Sequence, residues 1–376
     1  MTPPTETQAP RKRRAWRIAL LSSAAIVLLV AGGAGAFTWN LSRTFDTQTQ
    51  KIPEVFPTNE AIRPAVLTGA AASAQNILLL GSDTRGSIDG SLDNIRGQRS
   101  DTIMVVHIPA NRKNIYVMSI LRDSWLEIPG HGKAKINAAL SYGGVPLAVQ
   151  TVEGLLGVRM DHVAIIDFDG FKGVTDALGG VDIENTIGFN SSHLQGHYFE
   201  PGTLTVNGTE ALAYVRERYA FSDGDFQRAR NQQAFIKAVL KRALSAESLT
   251  DPGKFGGLIA AISPYLAVDD GFNSAYVAGL AVELRNVRAG NVGFFTLPTK
   301  GTGTAGGQSI VNIDWDELKV VKQAFQDDAL APYELEVQAA GRAGRWLRLR
   351  QGSSGAGVMT WASAPIDTAP GRMTSA

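Results

Sequence analysis

Ile18 to Ser42 contains no charged residue, and Arg11, Lys12, Arg13, Arg14 and Arg17 stand immediately before it. From Ile18 to Trp39 the run is mostly Leu, Ile, Val, Ala and Gly, long enough to cross a bilayer as a helix. The basic cluster predicts a cytoplasmic N-terminus and an external remainder. Trp16 and Trp39 fall near the two interfaces. Ala34-Gly35-Ala36 resembles a cleavage site, so a removed signal peptide is the alternative, although the apolar run exceeds a usual signal core. The expected organisation is a cytoplasmic tail at 1–17, a transmembrane helix at 18–40 and a stalk and accessory segment at 41–75. A folded extracytoplasmic domain follows at 76–330, and a largely flexible, Gly-, Ser- and Pro-rich extension at 331–376.

The basic N-terminus hides a mildly acidic body behind a formal net charge of +1. Such a body lacks the broad positive field of a nucleic-acid binder, so no nucleic-acid partner is expected. Cysteine is absent, which excludes disulfides, thiolate nucleophiles and cysteine metal sites.

Ile77–Leu80 reads as a buried strand halted by Gly81, with Asp83 just beyond it. Thr102–Ile108, preceded by Asp101, and Asn114–Ile120, followed by Arg122, read as the next two strands. If the middle strand is antiparallel to its neighbours, Asp83, Asp101 and Arg122 meet at one sheet edge. Lys135–Tyr142 and Pro146–Leu156 are expected as helices, and Val163–Phe168 and Val181–Glu184 as strands. Asn207–Tyr214 and Asp225–Ala243 are expected as helices, then a helical region over Phe255–Leu266 and Ser274–Leu284. Val292–Leu297 reads as a strand, Gly301–Gly307 as a loop, and Trp315–Phe325 as a helix capped by Asp314. Strands alternating with helices predict an α/β fold, a mixed central β-sheet flanked by helices in an α/β/α sandwich. His193 and His197 are four apart, but Gly196 and a turn-like composition disfavour a helical metal pair.

Tyr214–Gln233 concentrates Arg216, Arg218, Arg228 and Arg230 around a short loop containing Asp223 and Asp225. Arg216 and Arg218 alternate with Val215 and Glu217, so an extended backbone would send both guanidinium groups to one side. Asp225 is expected to cap the next helix, on which Arg228 and Gln232 share a face. Planar forks converging from two elements suit a phosphate or pyrophosphate. A solvated basic helix with local ion pairs is the alternative these residues leave open. Asp83 and Asp101 offer hard oxygens of the kind that hold Mg²⁺ together with substrate phosphates. They would equally serve as turn residues paired with Arg85 and Arg99. Neither a P-loop nor a Gly-x-Ser-x-Gly elbow occurs.

Several stretches resemble the LytR–CpsA–Psr family: Asn76 to Arg85, Arg99 to Ile103, Arg122 to Trp125 with Ile128-Pro129-Gly130, and Lys135-Ile136-Asn137. Asp161-His162, Asp167 to Phe171, Gly179-Gly180-Val181 and the arginine block continue the resemblance in order to about Leu244. It implies a membrane-anchored phosphotransferase that attaches a polyprenyl-pyrophosphate-linked glycopolymer to peptidoglycan and releases polyprenyl phosphate. By motif, Asp83 and Asp101 correspond to the family's Mg²⁺ ligands. Arg99, Arg122, Arg216, Arg218, Arg228 and Gln232 correspond to its pyrophosphate-binding residues, and Asp225 to a further acidic position. Arg122, Arg218 and Asp225 are the expected catalytic set. Leu121 stands where a proline often precedes the arginine, and Asn231 where many members have arginine, with Arg230 alongside as the candidate replacement. The resemblance also implies an apolar tunnel for the lipid. Pyrophosphate hydrolysis and a non-enzymatic membrane-bound regulator or lipid-binding scaffold are the competing functions. Ala- and Gly-rich composition points to an actinobacterial arabinogalactan as polymer, with teichoic acid or capsule as alternatives.

Overall fold

The computed structural model describes residues 39–40, 42–82, 100–243 and 252–335. The expected membrane span through residue 38, Asp83, Arg85, Arg99 and the extension from 336 onward lie outside these described residues. Among the described residues no helix is long and apolar enough to cross a membrane.

In chain order, the strands β1 (Gln50–Lys51), β2 (Gln75–Ser82), β3 (Ser100–Ile108) and β4 (Ile115–Ile120) lead into a hairpin, β5 (Trp125–Ile128) and β6 (Gly132–Lys135). Then come α1 (Ala138–Leu156), β7 (His162–Ile166) and α2 (Phe168–Ala177). A layer of short strands follows, β8 (Val181–Asn185), β9 (Phe189–Asn190), β10 (Tyr198–Phe199) and β11 (Gly202–Val206). The helices α3 (Gly208–Arg216), α4 (Asp225–Ala243) and α5 (Pro252–Ile262) precede β12 (Leu266–Val268) and α6 (Ser274–Glu283). The described chain continues through β13 (Val292–Thr296), the hairpin β14 (Thr299–Ala305) and β15 (Gln308–Ile313), and α7 (Trp315–Gln326).

Seven strands form the central sheet in the order β1-β12-β7-β2-β3-β4-β13. The sheet is mixed: β3 is antiparallel to β2 and β4, whereas β2 with β7 and β4 with β13 are parallel. Apolar runs such as Val163 to Ile165 are buried on both faces because helices cover both. Alternation assigns Ile103 and His107 to one face, where Phe325 of α7 meets His107 edge-on at 5.3 Å. Met104 and Val117 point the other way, to Ile236 and Leu240 of α4. This is the expected sandwich.

Several boundaries differ from the sequence expectation. Gly81 does not halt β2, which runs to Ser82 with a register shift there. A Cβ on Gly81 would stand 2.8 Å from Thr102 Cβ, so glycine permits close strand approach. Lys135 belongs to β6 rather than to a helix, and α1 is broken at Gly143 and Gly144, whose dihedral angles are non-helical. Phe168 begins α2 because the Asp167 carboxylate caps it through the Gly170 N–H. Leu266 pairs with Ile166 in the sheet instead of extending a helix. The glycine- and threonine-rich stretch is strand β14, antiparallel to β15. Residues 50–51, placed in a stalk from the sequence, form the sheet's edge beside β12. Asn207 and Glu210 form a capping box on α3, and Asp314 caps α7 as expected, accepting the Asp316 and Glu317 N–H groups.

Candidate active site

Because β3 is antiparallel to both neighbours, its start shares an edge with the ends of β2 and β4. Asp101 is the second residue of β3 and Arg122 follows β4, and Arg122 Nη1 donates to Asp101 Oδ1. The expected meeting of these two charges is present; Asp83 and Arg99 lie outside the described residues.

Asp225 is the first residue of α4 rather than its cap. The helix start is instead held by main-chain bonds, Phe226 N–H to Asp223 and Arg228 N–H to Gly224, and by Phe226 packing beside Leu121. That frees the Asp225 carboxylate to face three guanidinium groups. Arg228 lies 3.3 Å away, Arg122 3.5 Å and Arg218 3.8 Å. Burial works against the charge of Arg122, but Asp101 and Asp225 outweigh it and hold its pKa above the ordinary value. Burial, followed by repulsion from Arg122 and Arg218 against the pull of Asp225, leaves Arg228 below its ordinary value. Arg122 Nε is buried without a hydrogen-bond partner. An unsatisfied donor beside crowded cations is the condition an entering anion relieves.

Arg216 and Arg218 do not leave an extended segment together. Arg216 is the last residue of α3, and Glu217 leaves the helix in an extended conformation. Arg216 lies over the Phe168 ring at 4.3 Å, whereas Arg218 lies over Tyr219 at 4.6 Å. Glu217, fully buried, directs this divergence. Its carboxylate accepts the N–H groups of Ser192 (2.6 Å), Tyr219 (2.9 Å), Arg218 (3.0 Å) and Ala220 (3.3 Å), and the Ser192 hydroxyl. Burial pushes its pKa up, but the Ser192 donors and the Ala220 and Tyr219 N–H groups bring it below the ordinary carboxylate value. In the sequence Glu217 is only the spacer between two arginines, and nothing local marks its buried role.

Two cavities meet at the ion pairs. An apolar cavity of about 300 Å³ lies between the sheet and α2, α3 and α4, walled by residues such as Met104, Phe171, Phe235 and Ile236. Asp101, Arg216, Arg228 and Gln232 also line it, so the expected shared face of Arg228 and Gln232 is present. A larger cleft of about 1060 Å³ is lined by Arg122, Asp123, Arg218 and Asp225 and by both hairpins, β5–β6 and β14–β15. The Arg122–Asp101 and Arg228–Asp225 pairs each join a residue of the cleft to one of the cavity. Arg230 does not replace the missing arginine at 231. It pairs with Asp223 and bonds Gln227, while buried Asn231 donates to the Tyr214 carbonyl. No helix joins His193 to His197; the first lies against the Arg216 carbonyl and the second packs on Phe199.

The family model of LytR_cpsA_psr matches residues 40–327. A polyisoprenyl-teichoic acid–peptidoglycan teichoic acid transferase TagU of Bacillus cereus is 33% identical over 236 residues, 62% of this chain and 73% of the relative. Cell wall biosynthesis protein LcpA of Corynebacterium glutamicum is 30% identical over 309 residues, 70% of this chain and 57% of the relative. Among solved structures, B. subtilis TagV is similar with a TM-score of 0.58 at 27% identity, over 68% of this chain and 97% of that one. TagT bound to LI-WTA is similar with a TM-score of 0.54 at 26% identity, over 74% and 98% of the two chains. By its sequence over 40–327 and by its sheet and helices, the chain belongs to the LytR_cpsA_psr family.

Proposed function

We propose that this protein is a membrane-anchored phosphotransferase that moves a glycopolymer from polyprenyl pyrophosphate onto peptidoglycan, with arabinogalactan or a teichoic acid as the polymer. The observation that carries the reading is the junction of an apolar cavity with a polar cleft through Arg122, Arg228, Asp101 and Asp225. A lipid tail suits the cavity, a pyrophosphate suits the arginines, and sugars suit the cleft. The names of TagU relatives, which are peptidoglycan teichoic acid transferases, support the substrate class. Anchoring through residues 18–40 is part of the proposal and rests on the uncharged run.

An acceptor hydroxyl attacks the phosphorus that bears the polymer. A new phosphorus–oxygen bond forms, the bond to polyprenyl phosphate breaks, and the hydroxyl proton leaves to a carboxylate or solvent. Arg122, Arg218 and Arg228 neutralise charge on the transferring group. Asp225, in contact with all three, orients the forks toward it. Arg216 and Gln232 bound the site on the cavity side, where the departing phosphate emerges. Asp101, a hard-oxygen donor in the same cluster, would hold a Mg²⁺ shared with the substrate phosphates, together with Asp83, which is assigned by motif. When bound, that ion would polarise the pyrophosphate and offset its charge.

The test is polymer transfer to peptidoglycan fragments by the purified protein, in chelator and with Mg²⁺ titrated back. Asp101→Asn removes one charged oxygen and is expected to abolish most transfer while leaving lipid binding. Full transfer in chelator, or parental activity in Asp101→Asn, would sink the metal assignment. Polyprenyl phosphate released without joined polymer would favour the hydrolase.

A further inference from the structure

The outer walls of the cleft carry side chains that pyrophosphate chemistry leaves unused. Tyr142 is 49% exposed and Tyr219 is 69% exposed, and both line the cleft. Neither ring is loose. Tyr142 stacks on His131 with centroids 4.8 Å apart and planes 22° from parallel. Tyr219 accepts a 2.7 Å hydrogen bond at its hydroxyl from Arg218, whose guanidinium also lies over the ring. Rings already held in place lose little freedom when a ligand stacks on them. The hairpin β5–β6 adds Trp125, with Lys135 directly across from it and Lys133 further along the same strand. Lys135 lies 3.4 Å from Asp123, whereas exposed Lys133, across the hairpin from Glu127, makes no ion pair among the described residues.

Electron-rich ring faces attract the C–H groups on the face of a pyranose, and ammonium groups attract carboxylates. We infer that Tyr142, Trp125 and Tyr219, with Lys133 and Lys135, form the acceptor subsite. It takes a glycan strand whose sugars stack on the rings and whose lactyl or stem-peptide carboxylates meet the lysines. This rests on the transferase reading above and adds no chemical step to it. Direction favours acceptor over polymer. With the lipid tail in the apolar cavity, the leaving phosphate lies on the cavity side, and in-line attack arrives from the cleft. The hairpin and Tyr142 line the cleft and not the apolar cavity.

The experiment uses full-length protein in detergent micelles, a polyprenyl-pyrophosphate-linked donor and soluble uncross-linked peptidoglycan fragments. Tyr142→Ala is expected to raise the acceptor KM about tenfold, the contribution of roughly one stacked ring, with kcat and donor KM at parental values. Tyr142→Phe retains the ring and is expected to behave as the parent. Lys133→Gln combined with Lys135→Gln is expected to raise the acceptor KM and flatten its dependence on salt. Binding of the fragments alone, read by saturation-transfer NMR, is expected to weaken in the same variants. A parental acceptor KM in Tyr142→Ala, with transfer intact, overturns the subsite and leaves the transferase standing. A rise confined to the donor KM assigns the wall to the polymer and also overturns it. Absence of transfer by the parent overturns the transferase reading, and the subsite then survives only as a glycan site if the binding loss persists.

Discussion

Lysine at position 122 would keep a positive charge beside Asp101 and Asp225 but could not reach both carboxylates from one rigid fork. Arg122 does, through Nη1 on Asp101 and through Nε, which lies 3.5 Å from Asp225 without completing a hydrogen bond. The fork is therefore the functional unit. Arg122→Lys is expected to lower the transfer rate on the order of 10²–10³-fold, as loss of a preorganised charge-stabilising donor does. Single-turnover kinetics on the lipid-linked donor would measure it, and a parental rate would remove Arg122 from the reacting group. Arg122 and Asp101 could be paired from the sequence, since strand direction alone brings them to one edge. The family resemblance groups Asp225 with them, but strand direction does not: the seating of α4 beside Leu121 brings it to Arg122, and the loop after Glu217 brings it to Arg218.

Among the elements, the link from α3 to α4 shows how one buried carboxylate arranges a loop. Glu217 receives three consecutive main-chain N–H groups and two donors from Ser192, and Arg218 is presented to Asp225 from that loop. The folded-state pKa of Glu217 is depressed relative to an unfolded value near about 4.3. Its stabilisation is therefore fully present above that unfolded value and is lost as pH falls through the lower folded value. Glu217→Gln keeps the shape but removes the charge and replaces one acceptor oxygen with a donor. It is expected to cost about 1–3 kcal/mol in urea unfolding at neutral pH. The difference from the parent should narrow on acidification below about pH 4. A difference that widens in acid would refute this assignment. The alternating Arg-Glu-Arg pattern suggested an extended segment, but the capping box of Asn207 and Glu210 commits the backbone to helix through Arg216.

For the whole molecule, residues 50–63 are bound into the domain. The Gln50–Lys51 strand closes one edge of the sheet, and Ile52 and Val55 are buried. Arg63 donates to both oxygens of Glu153 on α1, which is only 1% exposed and also accepts the Met160 N–H. Arg63→Ala leaves that carboxylate buried without its cation and is expected to destabilise the domain by about 3–5 kcal/mol. Equilibrium unfolding would measure it, and Arg63→Ala with Glu153→Gln should recover part of the loss. A loss below about 1 kcal/mol would show instead that Glu153 is already satisfied by its other partners.

The sequence by itself determined the strands built from unbroken apolar runs, the helices capped by Asn207 and Asp314, and the α/β class. Each of these depends on residues within a few positions of one another. It also contained, in order, the motifs of the family to which the chain belongs. The tertiary structure alone decided that Arg216 borders the apolar cavity while Arg218 borders the cleft, and that β14 folds back on β15 as a cleft wall. It likewise decided that Tyr142 and Tyr219 share that cleft. The reason is separation along the chain. Cleft walls are assembled from residues as far apart as Arg122 and Val311, and no local propensity encodes which distant groups will meet.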